Sequence, residues 1–114
     1  MAELYPIKNE NDMKYQLVLQ FDGSTIEDFD ELLKFELDLG ISLGHEHIVD
    51  GHDFGSGGIN IFIHTDKPEK AFDLSKQLLG NTNINEMVAA YRDFDCEEYT
   101  VIYPENYGKE FCIV

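Results

Sequence analysis

The sequence predicts an α+β sandwich, with one antiparallel sheet of four to five strands and two helices on a single face. Three observations carry this expectation. Residues 15–21 and 59–65 alternate apolar and polar positions with the period of two that marks a strand. Residues 24–39 and 66–79 instead repeat apolar positions at three- and four-residue steps, the spacing of an amphipathic helix. The elements also follow one another as strand, helix, strand, strand, helix, strand, with room for one further strand at the end.

Residues 1–12 are polar, without a usable period, and read as a lead-in to a single domain over 13–114. Tyr15, Leu17, Leu19 and Phe21 then share one face of a first strand, opposite Gln16, Val18 and Gln20. Asp22-Gly23 ends it, and Ser24 with Glu27 forms a capping box that opens a helix. Its inner stripe is expected to be Ile26, Phe29, Leu32, Leu33 and Leu37, with Glu27, Glu31, Lys34 and Asp38 outside. Gly40 to Gly44 close it. A hairpin follows, whose second arm, Ile59 to Thr65, has β-branched residues at every odd position. Asp66 is expected to cap a second helix, with Pro68 in its first turn and Ala71, Phe72, Ser75, Leu78 and Leu79 inward. Met87 to Phe94 and Glu98 to Tyr103 read as two strands around Asp95-Cys96-Glu97, the first of which could start as a short helix at Asn85.

This order is a split β-α-β unit repeated once, and over residues 13 to about 103 it resembles the ferredoxin-like sandwich. Within it the segment 50–63, DGHDFGSGGINIFI, resembles one in small, functionally unassigned bacterial cytoplasmic proteins. Neither resemblance implies an activity, because such a fold hosts many.

Composition narrows the function classes. Twenty-three Asp and Glu oppose eight Lys and Arg, for a formal charge of -15. Nucleic-acid affinity rests on cations that neutralise phosphates, so direct nucleic-acid binding is disfavoured. The same sign repels an anionic membrane surface, and no apolar run approaches the roughly 20 residues of a membrane span. Without a basic-then-apolar leader, and with only Cys96 and Cys112 at no motif spacing, the expectation is a soluble cytoplasmic protein with reduced thiols. No cofactor is expected.

Chemistry-bearing residues concentrate in residues 45–58, HEHIVDGHDFGSGG. As a metal site it would offer His45, His47 and His52, but strand parity sets His52 on the face opposite the other two. Only a bulge near Asp50-Gly51 would restore convergence. As a phosphate loop, Gly55 to Gly58 joins two strands instead of leading into a helix, and no Lys or Arg lies between Lys34 and Lys67. As a catalytic set, Asp50, His52 and Ser56 lack an activation motif, so no catalytic residue is assigned. The plain reading is a β-hairpin. Of two registers, a four-residue loop would pair His52 with Ile61 and bury the imidazole against the helices. A three-residue loop would pair His52 with Phe62 and Asp50 with His64 on the outer face, and is preferred because it leaves these groups in water.

On that basis the expected partner-binding surface is the outer sheet face, with Asp50, His52, Phe54, Asn60, Phe62 and His64, together with the acidic helix residues Glu27 and Glu31. Aromatic groups rimmed by amides suit a protein interface, and the acidic field speeds encounter with a basic protein. The leading expectation is a small acidic protein-interaction module, of the immunity type that inhibits a basic protein such as a nuclease toxin. The alternatives are a metal-binding protein or enzyme using the His/Asp-rich hairpin, and a homodimeric small-molecule sensor.

Overall fold

The computed structural model describes residues 13–22, 29–55, 57–80 and 87–113, apart from the Phe29 side chain. The expected lead-in, the Ser24/Glu27 capping box, Ile26 and the start at Asn85 lie outside these residues. The chain is α+β: β1 (Tyr15–Asp22), α1 (Phe29–Ser42), β2 (His47–Gly55), β3 (Gly58–Thr65), α2 (Pro68–Leu79), β4 (Met87–Asp93) and β5 (Thr100–Tyr103). The strands form one sheet in the order β2-β3-β1-β4-β5, every neighbouring pair antiparallel.

The alternation in β1 and β3 does the expected work. Leu17, Leu19 and Phe21 stand beside Ile59, Ile61 and Ile63 in register, and this face meets both helices in the main core. Strand β1 lies between β3 and β4, so its outer residue Val18 is buried as well.

Two expectations about packing are corrected. The first concerns α1, in which Leu32, Phe35 and Leu39 are buried and Leu43 follows them into the core just beyond the helix, whereas Leu33 and Leu37 are exposed. Apolar residues at 33, 35, 37, 39, 41 and 43 form two interleaved four-step rows, and at about 100° per residue adjacent members of the two rows fall on nearly opposite sides of the helix. The core takes the 35/39/43 row, aided by an edge contact between Phe35 and Phe21. Gly44, at φ +66, turns the chain out of the helix in the left-handed region open to glycine.

The second correction concerns the outer face of the sheet, which is covered. Phe111, Tyr107 and Tyr99 from the C-terminal segment pack with Val18, Phe62, Val88, Ala90 and Val101 into a second small core. Gln20 Nε2 donates to the Cys112 carbonyl at 2.8 Å and to Asn60 Oδ1 at 3.0 Å, tying the segment across β1 and β3. At the other end of the face Arg92 donates to Gln16 Oε1 and to the carbonyls of Cys96 and Phe94, fastening the β4–β5 connection.

Helix α2 buries Ala71, Phe72 and Ser75 as its pattern predicts, with Leu78 and Leu79 half-buried against the core and Pro68 buried as well. Its N-cap residue is Lys67, with no side-chain cap bond, rather than Asp66. Asp66 Oδ1 accepts from the Lys14 backbone N–H, and the Thr65 hydroxyl accepts from the Lys67 N–H.

Candidate functional site

The His/Asp-rich hairpin takes the register that sequence reasoning disfavoured. Gly55 pairs with Gly58, Phe54 with Ile59 and His52 with Ile61, so His52 and Phe54 lie on the helix side of the sheet. Burial of the imidazole, the reason for rejecting this register, is avoided because β2 is an edge strand. His52 keeps part of its surface in water and its Nδ1 lies 2.9 Å from both carboxylate oxygens of Glu36 on α1. The bulge does form: the register shifts between Val49 and Gly51, leaving Asp50 without a strand partner and Gly51 at φ +146.

That bulge reverses the parity argument, placing His47, paired with Thr65, on the same sheet face as His52. The two remain four strand positions apart, roughly 13 Å at strand rise, and each has its own partner. His45 is exposed on the preceding turn. Among the described residues no three His, Cys, Asp or Glu side chains stand close enough to hold a metal ion. The bulge also separates Asp50 from His52, and Ser56 lies outside the described residues, so the sequence-level catalytic set is not assembled.

His47 is 1 % exposed. Its Nδ1 lies 2.6 Å from the Thr65 hydroxyl, and its buried Nε2 has no hydrogen-bond partner among the described residues, with Glu46 Oε2 3.8 Å away. Burial pushes the imidazole below its ordinary range, opposed by Glu46 and reinforced by Lys70 and Lys67. Glu46 itself is held below the usual carboxylate range by Lys70, whose ammonium donates to it at 3.4 Å. Hydroxyl, imidazole and carboxylate stand in the order of a hydrolase relay. The hydroxyl, however, is buried and already accepts from the Lys67 N–H. The group is a structural pin joining the start of β2, the end of β3 and the start of α2.

The expected partner-binding residues divide accordingly. Asn60 and His64 are buried and Phe62 is half-buried. His64 stacks edgewise on Phe94 at 4.8 Å and meets Asp50 at 3.7 Å, a pairing delivered by the bulge although Ile48 is the strand partner of His64. Asp50, His52 and Phe54 remain at the surface along β2, Glu31 is half-buried on α1, and Glu27 lies outside the described residues. The accessible surface is thus the β2 edge and the adjoining side of α1, not the outer sheet face. There Leu37 is 67 % exposed, Ile41 73 %, Phe54 52 % and Leu33 37 %.

This apolar edge lies in an anionic stretch. Between Lys34 and Lys67 the chain carries Glu36, Asp38, Glu46, Asp50, Asp53 and Asp66 and no Lys or Arg. Sequence reasoning found the charge but missed Leu33, Leu37 and Ile41 as surface groups; the double apolar row of α1 was the signal that could have shown them.

A cleft of about 460 Å³ lies at the strand end marked by Asp22 and Gly58, walled by Phe21, Asp22, Met87, Tyr103 and Tyr107 among others. It adjoins the points where the chain continues into residues 23–28 and 81–86, which lie outside the described residues. No helix among the described residues is long and apolar enough to cross a membrane. Comparison with protein-family models, curated proteins and solved structures finds no match.

Proposed function

We propose that this chain is a small acidic protein-interaction module whose partner is a basic protein. The observation that supports this reading most directly is the coincidence of exposed Leu37, Ile41 and Phe54 with a stretch free of Lys and Arg from 35 to 66. Apolar groups supply contact area, and the unbalanced carboxylates select a cationic partner and speed its approach. Inhibition of a basic enzyme, in the manner of an immunity protein against a nuclease toxin, fits both the sign of the charge and the single-domain size. The order β4-β1-β3-β2 with both helices on one face supports a ferredoxin-like scaffold, extended at the β4 edge by β5.

The test is capture from a cell lysate on the immobilised chain at low salt, followed by a salt gradient. The retained proteins should be more basic than the input and should elute as screening rises, since the Debye length falls from about 10 Å at 0.1 M to about 3 Å at 1 M. Retained proteins no more basic than the input, or binding indifferent to salt, would refute the proposal.

A further inference from the structure

We infer that the outward row of α1, Leu33, Leu37 and Ile41, with Phe54 beside it, is a docking surface for an amphipathic helix whose apolar face is flanked by Lys and Arg. The inference rests on the proposed function and specifies where and how the partner binds.

The row is a structural feature of its own, separate from the core. Its members are spaced by four residues, so they form a ridge about 12 Å long on the helix, and all three are exposed. The inward row, with Phe35, Leu39 and Leu43, satisfies the core without them. Around the helix Leu33 lies about 60° from Glu36, the residue that ties α1 to His52 of β2. Helix and strand are joined by a short turn and run in opposite senses, so Leu33 and Phe54 lie on the same side of that tie. The ring of Phe54 therefore lies toward the Leu33 end of the ridge.

Three occupants compete for such a surface, and charge and geometry separate them. A second copy docked on the same ridge by two-fold symmetry would bring the acidic flanks of α1, with Glu36 and Asp38, against their counterparts, with Lys34 alone to offset them. An added strand on the free edge of β2 meets the bulge at Asp50, Gly51 at φ +146, and two aspartates, the features by which edge strands resist pairing. A helix avoids both obstacles. Its own ridge can pack against the 33/37/41 ridge, and cations on its flanks would face Glu36 on the β2 side and Asp38 on the other, with Lys34 the one cation of α1 beside them.

The test uses the full chain and a synthetic helical peptide of roughly 14 residues of Leu and Lys, with the leucines on one face, beside a scrambled peptide of identical composition. In methyl-detected NMR titrations at about 0.15 M salt, the amphipathic peptide should shift Leu33, Leu37 and Ile41 and bind more tightly than the scrambled one. The double variant Leu37→Ser/Ile41→Ser, folded by circular dichroism because both sites are exposed, should lose about tenfold or more in affinity. Ile113→Ser, an exposed apolar position outside the surface, should leave binding unchanged. Shifts centred elsewhere, or equal binding by the double variant, would overturn the docking surface and leave the interaction function standing. Failure of both peptides to bind even at low salt would overturn both. A dimer that the double variant abolishes, or contacts from residues 1–12 to the Leu37 methyls in the free protein, would show the row already occupied and overturn the inference.

Discussion

Phe111→Ala tests whether the outer face of the sheet is a covered core. Phe111 is 6 % exposed, packs with Val18 and Ala90, and meets Tyr99 with ring centroids 5.0 Å apart. A phenylalanine side chain buries roughly 200 Å², which at about 25 cal/mol per Å² is worth about 5 kcal/mol as an upper bound. Alanine retains part of that area, and the surrounding segment has no regular secondary structure to hold a cavity open. The expected loss is therefore about 3 kcal/mol, the low end of the range for Phe→Ala in a core. For a domain of this length total stability is on the order of 6–17 kcal/mol, so the variant should remain folded with its Tm lowered by roughly 10–15 °C. Urea unfolding followed by far-ultraviolet circular dichroism measures the loss, and tyrosine fluorescence reports the surroundings of Tyr99 and Tyr107. A loss below about 1 kcal/mol, the range of an exposed substitution, with unchanged tyrosine emission, would show that Phe111 does not cover the sheet.

Two further predictions concern local chemistry. His47 is held neutral, its folded pKa depressed below the ordinary value of 6.5 by burial, so the unfolded chain takes up a proton that the folded chain resists. Its stabilising contribution is complete above about pH 6.5 and falls as pH drops from there toward the depressed folded value, by at most about 1.4 kcal/mol per pH unit. The stability difference between the wild type and His47→Gln should shrink between about pH 7.5 and 5 in urea titrations; a constant difference would contradict the burial argument. Glycine substitutions should act with opposite signs at two positions. Gly51→Ala has open space around its added Cβ but sits at φ +146, and should lose about 1–3 kcal/mol through backbone strain. Gly40→Ala, inside α1 with nothing within 4 Å of its Cβ, should gain roughly 0.5–1 kcal/mol. Thermal melts of both resolve the sign, and a neutral Gly51→Ala would argue against the bulge.

The periodicity of the chain determined β1, β3 and α2, because each carries one apolar stripe and burial of that stripe admits one orientation. Composition likewise determined the sign of the electrostatic field. Helix α1 was ambiguous: its rows 33/37/41 and 35/39/43 are equally apolar, and only packing against Phe21 and the β3 isoleucines selects the second. The hairpin register ran against the sequence preference for a related reason. A one-residue slip exchanges the faces of β2, and the choice fell to the bulge at Asp50 and to Glu36, a partner 16 residues from His52 that no local pattern reveals. The fate of the outer face was equally remote, since the residues that cover it, Tyr99 just before the last strand and Tyr107 and Phe111 after it, carry no periodicity of their own. Local sequence thus determined which segments are strands and helices. Which apolar row was left at the surface, and with it the candidate docking site, was decided by contacts between residues distant in the chain.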